Sequence, residues 1–116
     1  MIRVTFFAED NAYSGFEAKG HAAYARAGRE DIVCAAVSAI LLTALNGLTE
    51  VIKAPCRVTR LDSRGYLKVT LKRTARDKAR DAGMILSVAK AGIRRVARDY
   101  PGRVNLLNKD LEGKIT

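Results

Sequence analysis

His21 is the only histidine in this chain of 116 residues, and Cys34 is one of two cysteines. Cys34 stands near the start of an apolar helical run that Asp31 opens, at the third helical position if Asp31 is the cap. There the unpaired backbone N–H groups and the helix dipole favour a thiolate, and a neighbouring imidazolium would lower the thiol pKa further. The pair reads as a candidate nucleophile and general base, with helix-start N–H groups as donors to an oxyanion. Plainer roles fit the same residues. A lone cysteine at an apolar helix start packs as a small hydrophobe, and a lone histidine after a strand is an ordinary polar surface residue. Asp31 fits a helix cap better than a triad acid, and Ser38, one turn after Cys34, fits a bond to its own helix backbone.

Other chemistries have less to work with. Cys56 follows Pro55 with no histidine nearby, so a structural role is expected for it. One histidine and no CxxC supply too few ligands for a zinc site, and no cofactor motif is present. Two cysteines after a start (Met1-Ile2-Arg3-Val4) that reaches Glu9-Asp10 early fit neither a signal peptide nor a disulfide framework, which points to the cytosol and reduced thiols. The apolar run 32–45 is too short to span a bilayer, so no membrane partner is expected.

The elements that must position His21 and Cys34 follow from periodicity. Ile2, Val4 and Phe6 alternate with Arg3, Thr5 and Phe7 in a first strand, Asp10-Asn11 marks a turn, and residues 14–19 return as a second strand. Gly20-His21-Ala22 then enters a segment rich in small residues, expected to be a mobile loop. A helix runs from Asp31 to about residue 51, interrupted weakly at Asn46-Gly47 and stopped by Pro55. It is apolar nearly all round and should be buried on more than one side. A second hairpin (56–61 and 66–72) flanks Asp62-Ser63-Arg64-Gly65. A long helix over about 75–100 follows, with Thr74 as cap and Asp77 completing a weak capping box. Residues 104–107 form a last strand. The order β-β-α-β-β-α-β makes one α+β domain over residues 1–116, a mainly antiparallel sheet with two helices packed on it.

Taken together, Gly20-His21-Ala22, Gly28, the block Asp31-Ile32-Val33-Cys34-Ala35-Ala36-Val37-Ser38-Ala39 and Asn46-Gly47-Leu48 resemble the ribosomal-processing cysteine protease family, Prp. The resemblance extends over the whole chain in length and element order, to the late helix ending at Tyr100-Pro101. It implies an endopeptidase that removes a short N-terminal extension from large-subunit ribosomal protein L-twenty-seven, after a pair of phenylalanines. It also implies a homodimer needing no metal or cofactor. By position it makes Cys34 the nucleophile and His21 the general base, gives Gly20, Asp31 and Ser38 supporting roles, and makes 22–30 a loop gating the cleft. This sequence departs from the pattern in that loop. The stretch from His21 to Asp31 is one residue longer, and Ala23 stands where a glycine is common.

Charge raises a second question. The net charge is +9, but residues 1–52 sum to −2, residues 53–103 to +11, and the remainder to zero. Arg57, Arg60, Arg64, Lys68, Lys72, Arg73, Arg76, Lys78 and Arg80 suggest an alternative function, a ribosome- or RNA-associated binding module without catalysis. A solvated hairpin and helix face is the plainer account. Tyr66 is the one aromatic among them, too little for a base-stacking platform.

Overall fold

The computed structural model describes residues 1–20, 31–61 and 65–111. Strand β1 (Ile2–Glu9) and β2 (Ala12–Lys19) form the first hairpin. Asp10 (φ 54°) and Asn11 (φ 67°) both sit in the left-handed region, as a two-residue I′ turn requires. Register shifts once along this pair. Phe7 faces Gly15 while Ala8 faces Tyr13, which leaves Ser14 as the extra residue of a bulge. Gly15 has no room for a side chain, since a Cβ would lie 2.2 Å from the Val69 carbonyl oxygen.

Helix α1 (Asp31–Asn46) continues through one wider, π-type turn (Gly47–Val51), so the Asn46-Gly47 interruption is a change of pitch. Strands β3 (Cys56–Leu61) and β4 (Tyr66–Leu71) form the second hairpin. A 3-10 segment (Arg73–Lys78) leads into α2 (Ala79–Asp99), and β5 (Val104–Asp110) follows, three residues longer than expected. The five strands lie in the order β3-β4-β2-β1-β5, antiparallel except for the parallel pair β1–β5. This is the α+β arrangement expected from the sequence.

Ile2, Val4, Phe6, Phe16, Val69 and Val104 share one sheet face and form the core with α1 (Val33, Val37, Leu41, Ala44, Leu48) and α2 (Ala82, Leu86, Ala89, Ile93). Phe7, on the opposite face, is also buried (4% exposed), with the Lys68 ammonium 5.5 Å from its ring centre.

Three expectations need correction. Thr74 does not cap the second helix. The 3-10 turn starts after Lys72, whose carbonyl accepts from the Ala75 N–H, and no side chain caps its start. Burial of Ala75 draws that turn against the core, so Thr74 and Asp77 fall inside the turn rather than astride a helix start. The first helix is buried along one stripe only, because α2 packs beside it and nothing described covers its outer face. Finally, the helical run Ile32–Val51 is long and apolar enough by composition to cross a bilayer, because the π turn extends it beyond residue 45. Its buried stripe is spent on the core.

Candidate active site

Packing of α1 fixes the position of Cys34. Val33, Val37 and Leu41 are buried along one side of the helix, and burying each contributes about 2 kcal/mol. Several such contacts set the helix's rotation over the sheet. Cys34, the fourth residue of α1, comes out half-buried beside this stripe. Asp31 is the first helical residue, one position later than a cap, and its side chain lies outside the described set.

A cavity of about 280 Å³ opens next to Cys34. Val37, Leu41 and Leu42 line it from α1, Ala18 from β2, Leu67 from β4 and Ile2 from β1, so most of its wall is apolar. Ser38, exposed on the same side of α1, borders it. Lys19 and Arg60 add positive charge to its wall, and Gly65 and Tyr66 complete it.

Gly20 controls how the chain leaves β2. It adopts φ +83°, its N–H donates to the Gly65 carbonyl at 3.2 Å, and a Cβ would come within 3.0 Å of the Met1 carbonyl oxygen. A side chain there is disfavoured by backbone and by space. His21 and the 22–30 loop lie outside the described residues. The approach to them does not, since Lys19, two residues before His21, lines the same cavity as Cys34.

Two titratable groups near this region are shifted. Tyr66 donates to Glu17 Oε2 at 2.5 Å, and this bond, with burial and the carboxylate charge, pushes the phenol up to about 12. At neutral pH it is a fixed donor, unsuited to act as a base. Cys56 donates to the Ala54 carbonyl at 3.4 Å. Burial pushes its thiol up, with Lys72 pulling partly the other way. It is not part of the cavity beside Cys34. Among the described residues, no cluster of His, Cys, Asp and Glu could hold a metal ion.

The basic residues of the second half do not form one face. Arg57 and Lys68 lie on the sheet face away from the helices, whereas Arg60 faces the helix side. Lys72, Arg73 and Arg76 line another cavity together with Glu9 and Asp10. Lys90 donates to the Tyr13 hydroxyl at 2.7 Å, and Arg95 pairs with Asp99 at 3.0 Å.

Cys34 is legible in the sequence; an apolar pocket is expected from the family's cleavage site, but its place in the chain is not legible. Leu41 and Leu42 lie two helical turns beyond Cys34, a spacing visible in the sequence. Arg60, Tyr66 and Leu67 reach the site only through the β2–β4–β3 register, which no local pattern reveals.

A family model described as cysteine protease Prp matches residues 1–105 of the chain. Among solved structures, the essential ribosomal processing protease Prp from S. aureus in complex with a substrate peptide superposes with a TM-score of 0.80. It is 23% identical, with 94% of this chain and 100% of that chain covered. The S. aureus protease with a covalently linked product peptide gives 0.77 at 24% identity, over 94% and 100%. SMU.848 from Streptococcus mutans gives 0.83 at 22% identity, over 95% of each chain. At these identities the likeness establishes the shared fold. No curated protein matches the chain.

Proposed function

The chain belongs to the cysteine protease Prp family, and on that premise we propose that it removes the N-terminal extension of large-subunit ribosomal protein L-twenty-seven, with Cys34 as nucleophile and His21 as general base. The observation that carries this reading is the apolar cavity beside Cys34 in the first turn of α1. A cleavage site that follows phenylalanines calls for such a pocket next to the attacking atom, and one lies there. The S. aureus relatives, one holding a substrate peptide and one a covalently linked product peptide, support the same chemistry.

In the proposed reaction His21 takes the Cys34 proton and the thiolate attacks the scissile carbonyl carbon. The carbonyl oxygen becomes an oxyanion beside the first turn of α1, the end at which a helix presents its backbone N–H donors. Protonated His21 gives its proton to the leaving amine as the peptide C–N bond breaks and a thioester forms. His21 then deprotonates a water, which hydrolyses the thioester and restores the thiol. Gly20 sets the direction in which the chain leaves β2, and Asp31 and Ser38, on the same helix as the thiol, act as supporting groups. The 22–30 loop gates the cleft in this reading, so substrate closure completes the site.

The test uses a peptide that carries the extension encoded by the same organism. Cleavage after its phenylalanines, lost in Cys34→Ala and in His21→Ala, supports the reading. Full cleavage by either variant removes it.

We also propose that two copies associate through the outer helical face. Ala39, Ile40 and Val51 from the first helical run and Met84 and Val88 from α2 line an apolar groove there. Val51 is 76% exposed, and Met84 and Val88 are each 66% exposed. A helix whose sequence asks for burial on more than one side then has its second side covered by the partner. The cytosol remains the compartment that the reduced thiols suggest.

A further inference from the structure

We propose that the sheet face turned away from the helices is a docking surface for the phosphate backbone of single-stranded RNA. The strand registers define this face as three rungs. One runs Arg57, Thr70, Gly15, Phe7, Lys109; the next Thr59, Lys68, Glu17, Thr5, Leu107; the last Leu61, Tyr66, Lys19, Arg3, Asn105. Both helices pack on the other side, and no described element covers this one. The rungs carry five cations against one carboxylate. Glu9, the last residue of β1, and Asp10 in the turn lie beyond these rungs, at the cavity lined by Lys72, Arg73 and Arg76.

The charge is concentrated by folding rather than by sequence. Arg3 and Lys19 come from the net-acidic first half and join Arg57 and Lys68 from the second, with Lys109 from the last strand. Arg3 stands directly opposite Lys19 on adjacent strands, and like charges in that relation are destabilising. None of the five makes an ion pair among the described residues. A bound polyanion relieves that repulsion. The single carboxylate, Glu17, already accepts the Tyr66 hydroxyl.

The chemistry of the face selects phosphates over bases. Of its two aromatic residues, Phe7 is sealed beneath Lys68, and Tyr66, half-buried with its hydroxyl bound to Glu17, is one ring alone, too little for a stacking platform. Thr5, Thr59 and Thr70 add hydroxyl donors between the cations. A surface of this kind tracks a backbone with little regard for sequence. The cavity beside Cys34 opens on the helix side of the sheet and meets this face only at Lys19 and Tyr66. A cleft and an RNA strand can therefore be engaged together.

The experiment is fluorescence anisotropy of a labelled oligouridylate of about 12 nucleotides, titrated with the full chain at several salt concentrations. The wild type is expected to bind at low salt with a log K against log salt slope of about −3. Arg3→Gln/Arg57→Gln/Lys109→Gln should weaken binding at least tenfold and make the slope shallower by about 2. Arg80→Gln/Arg94→Gln/Arg98→Gln, which removes the same charge from α2, should keep most of the binding. A milder face variant, Arg57→Gln/Lys109→Gln, gives the same direction if the triple variant fails to fold. Absence of binding at low salt overturns the proposal, as does equal loss in the α2 variant. Binding to phosphatidylserine vesicles in place of RNA also overturns it. Peptide cleavage is measured in parallel and should not change in the face variants, so failure here leaves the protease reading untouched.

Discussion

Lys19 at the end of β2 and Cys34 in the first turn of α1 line one cavity. The strand that leads to His21 and the helix that carries Cys34 in its first turn thus meet at the same apolar hollow. That relationship sets an apolar hollow directly beside the thiol.

The pocket should set substrate preference. Leu42 is half-buried on its wall, so Leu42→Phe fills space without removing a core contact. The kcat/KM for peptides with phenylalanine before the scissile bond should fall tenfold or more, while peptides with alanine there change little. An unchanged ratio between the two peptides would place the specificity pocket elsewhere.

The two thiols should differ in reactivity. Burial pushes the Cys56 thiol up, which lowers its thiolate fraction at neutral pH. Iodoacetamide at neutral pH should therefore label Cys34 well before Cys56, as read by peptide mass mapping. Preferred labelling of Cys56 contradicts the assignment.

The Tyr66–Glu17 bond should matter at neutral pH and disappear in alkali. The folded phenol ionises near 12, above the ordinary value of 10. The stabilisation is therefore complete below about pH 10 and is lost as pH rises through about 12. Tyr66→Phe should lower stability by at most about 1 kcal/mol, since the pair is only partly buried. Urea unfolding of both proteins at several pH values checks whether the difference fades over that alkaline window.

The outer groove should control self-association. Val88→Glu places a charge on an exposed position of α2, where the isolated chain tolerates it. Sedimentation velocity should show the wild type as a dimer and the variant as a monomer of unchanged thermal stability per chain. A wild type that sediments as a monomer contradicts the proposed interface.

Much of this molecule is legible in its sequence because local rules and tertiary packing agree. Asp10-Asn11 takes the left-handed turn that its composition favours, and the alternation of Ile2, Val4 and Phe6 matches the buried face. Cys34 is readable as a helix-start thiol because Asp31 and the following apolar run mark that start. The pocket was not readable, because Arg60, Tyr66 and Leu67 arrive through strand order rather than through spacing. The second helix start misled for a different reason: Thr74 and Asp77 have cap chemistry, but burial of Ala75 imposes a tighter turn. The charge asymmetry between halves also misled, since the sheet brings Arg3 and Lys19 beside Lys68.

In the proposed reaction the Cys34 sulfur forms the bond to the substrate's carbonyl carbon. Its most direct measurement is acid quenching of the enzyme during cleavage of the extension peptide, followed by mass mapping of the adduct. The N-terminal product is expected as a thioester on the peptide containing Cys34, with no adduct and no cleavage in Cys34→Ala. An adduct on Cys56, or wild-type turnover by Cys34→Ala, would contradict it.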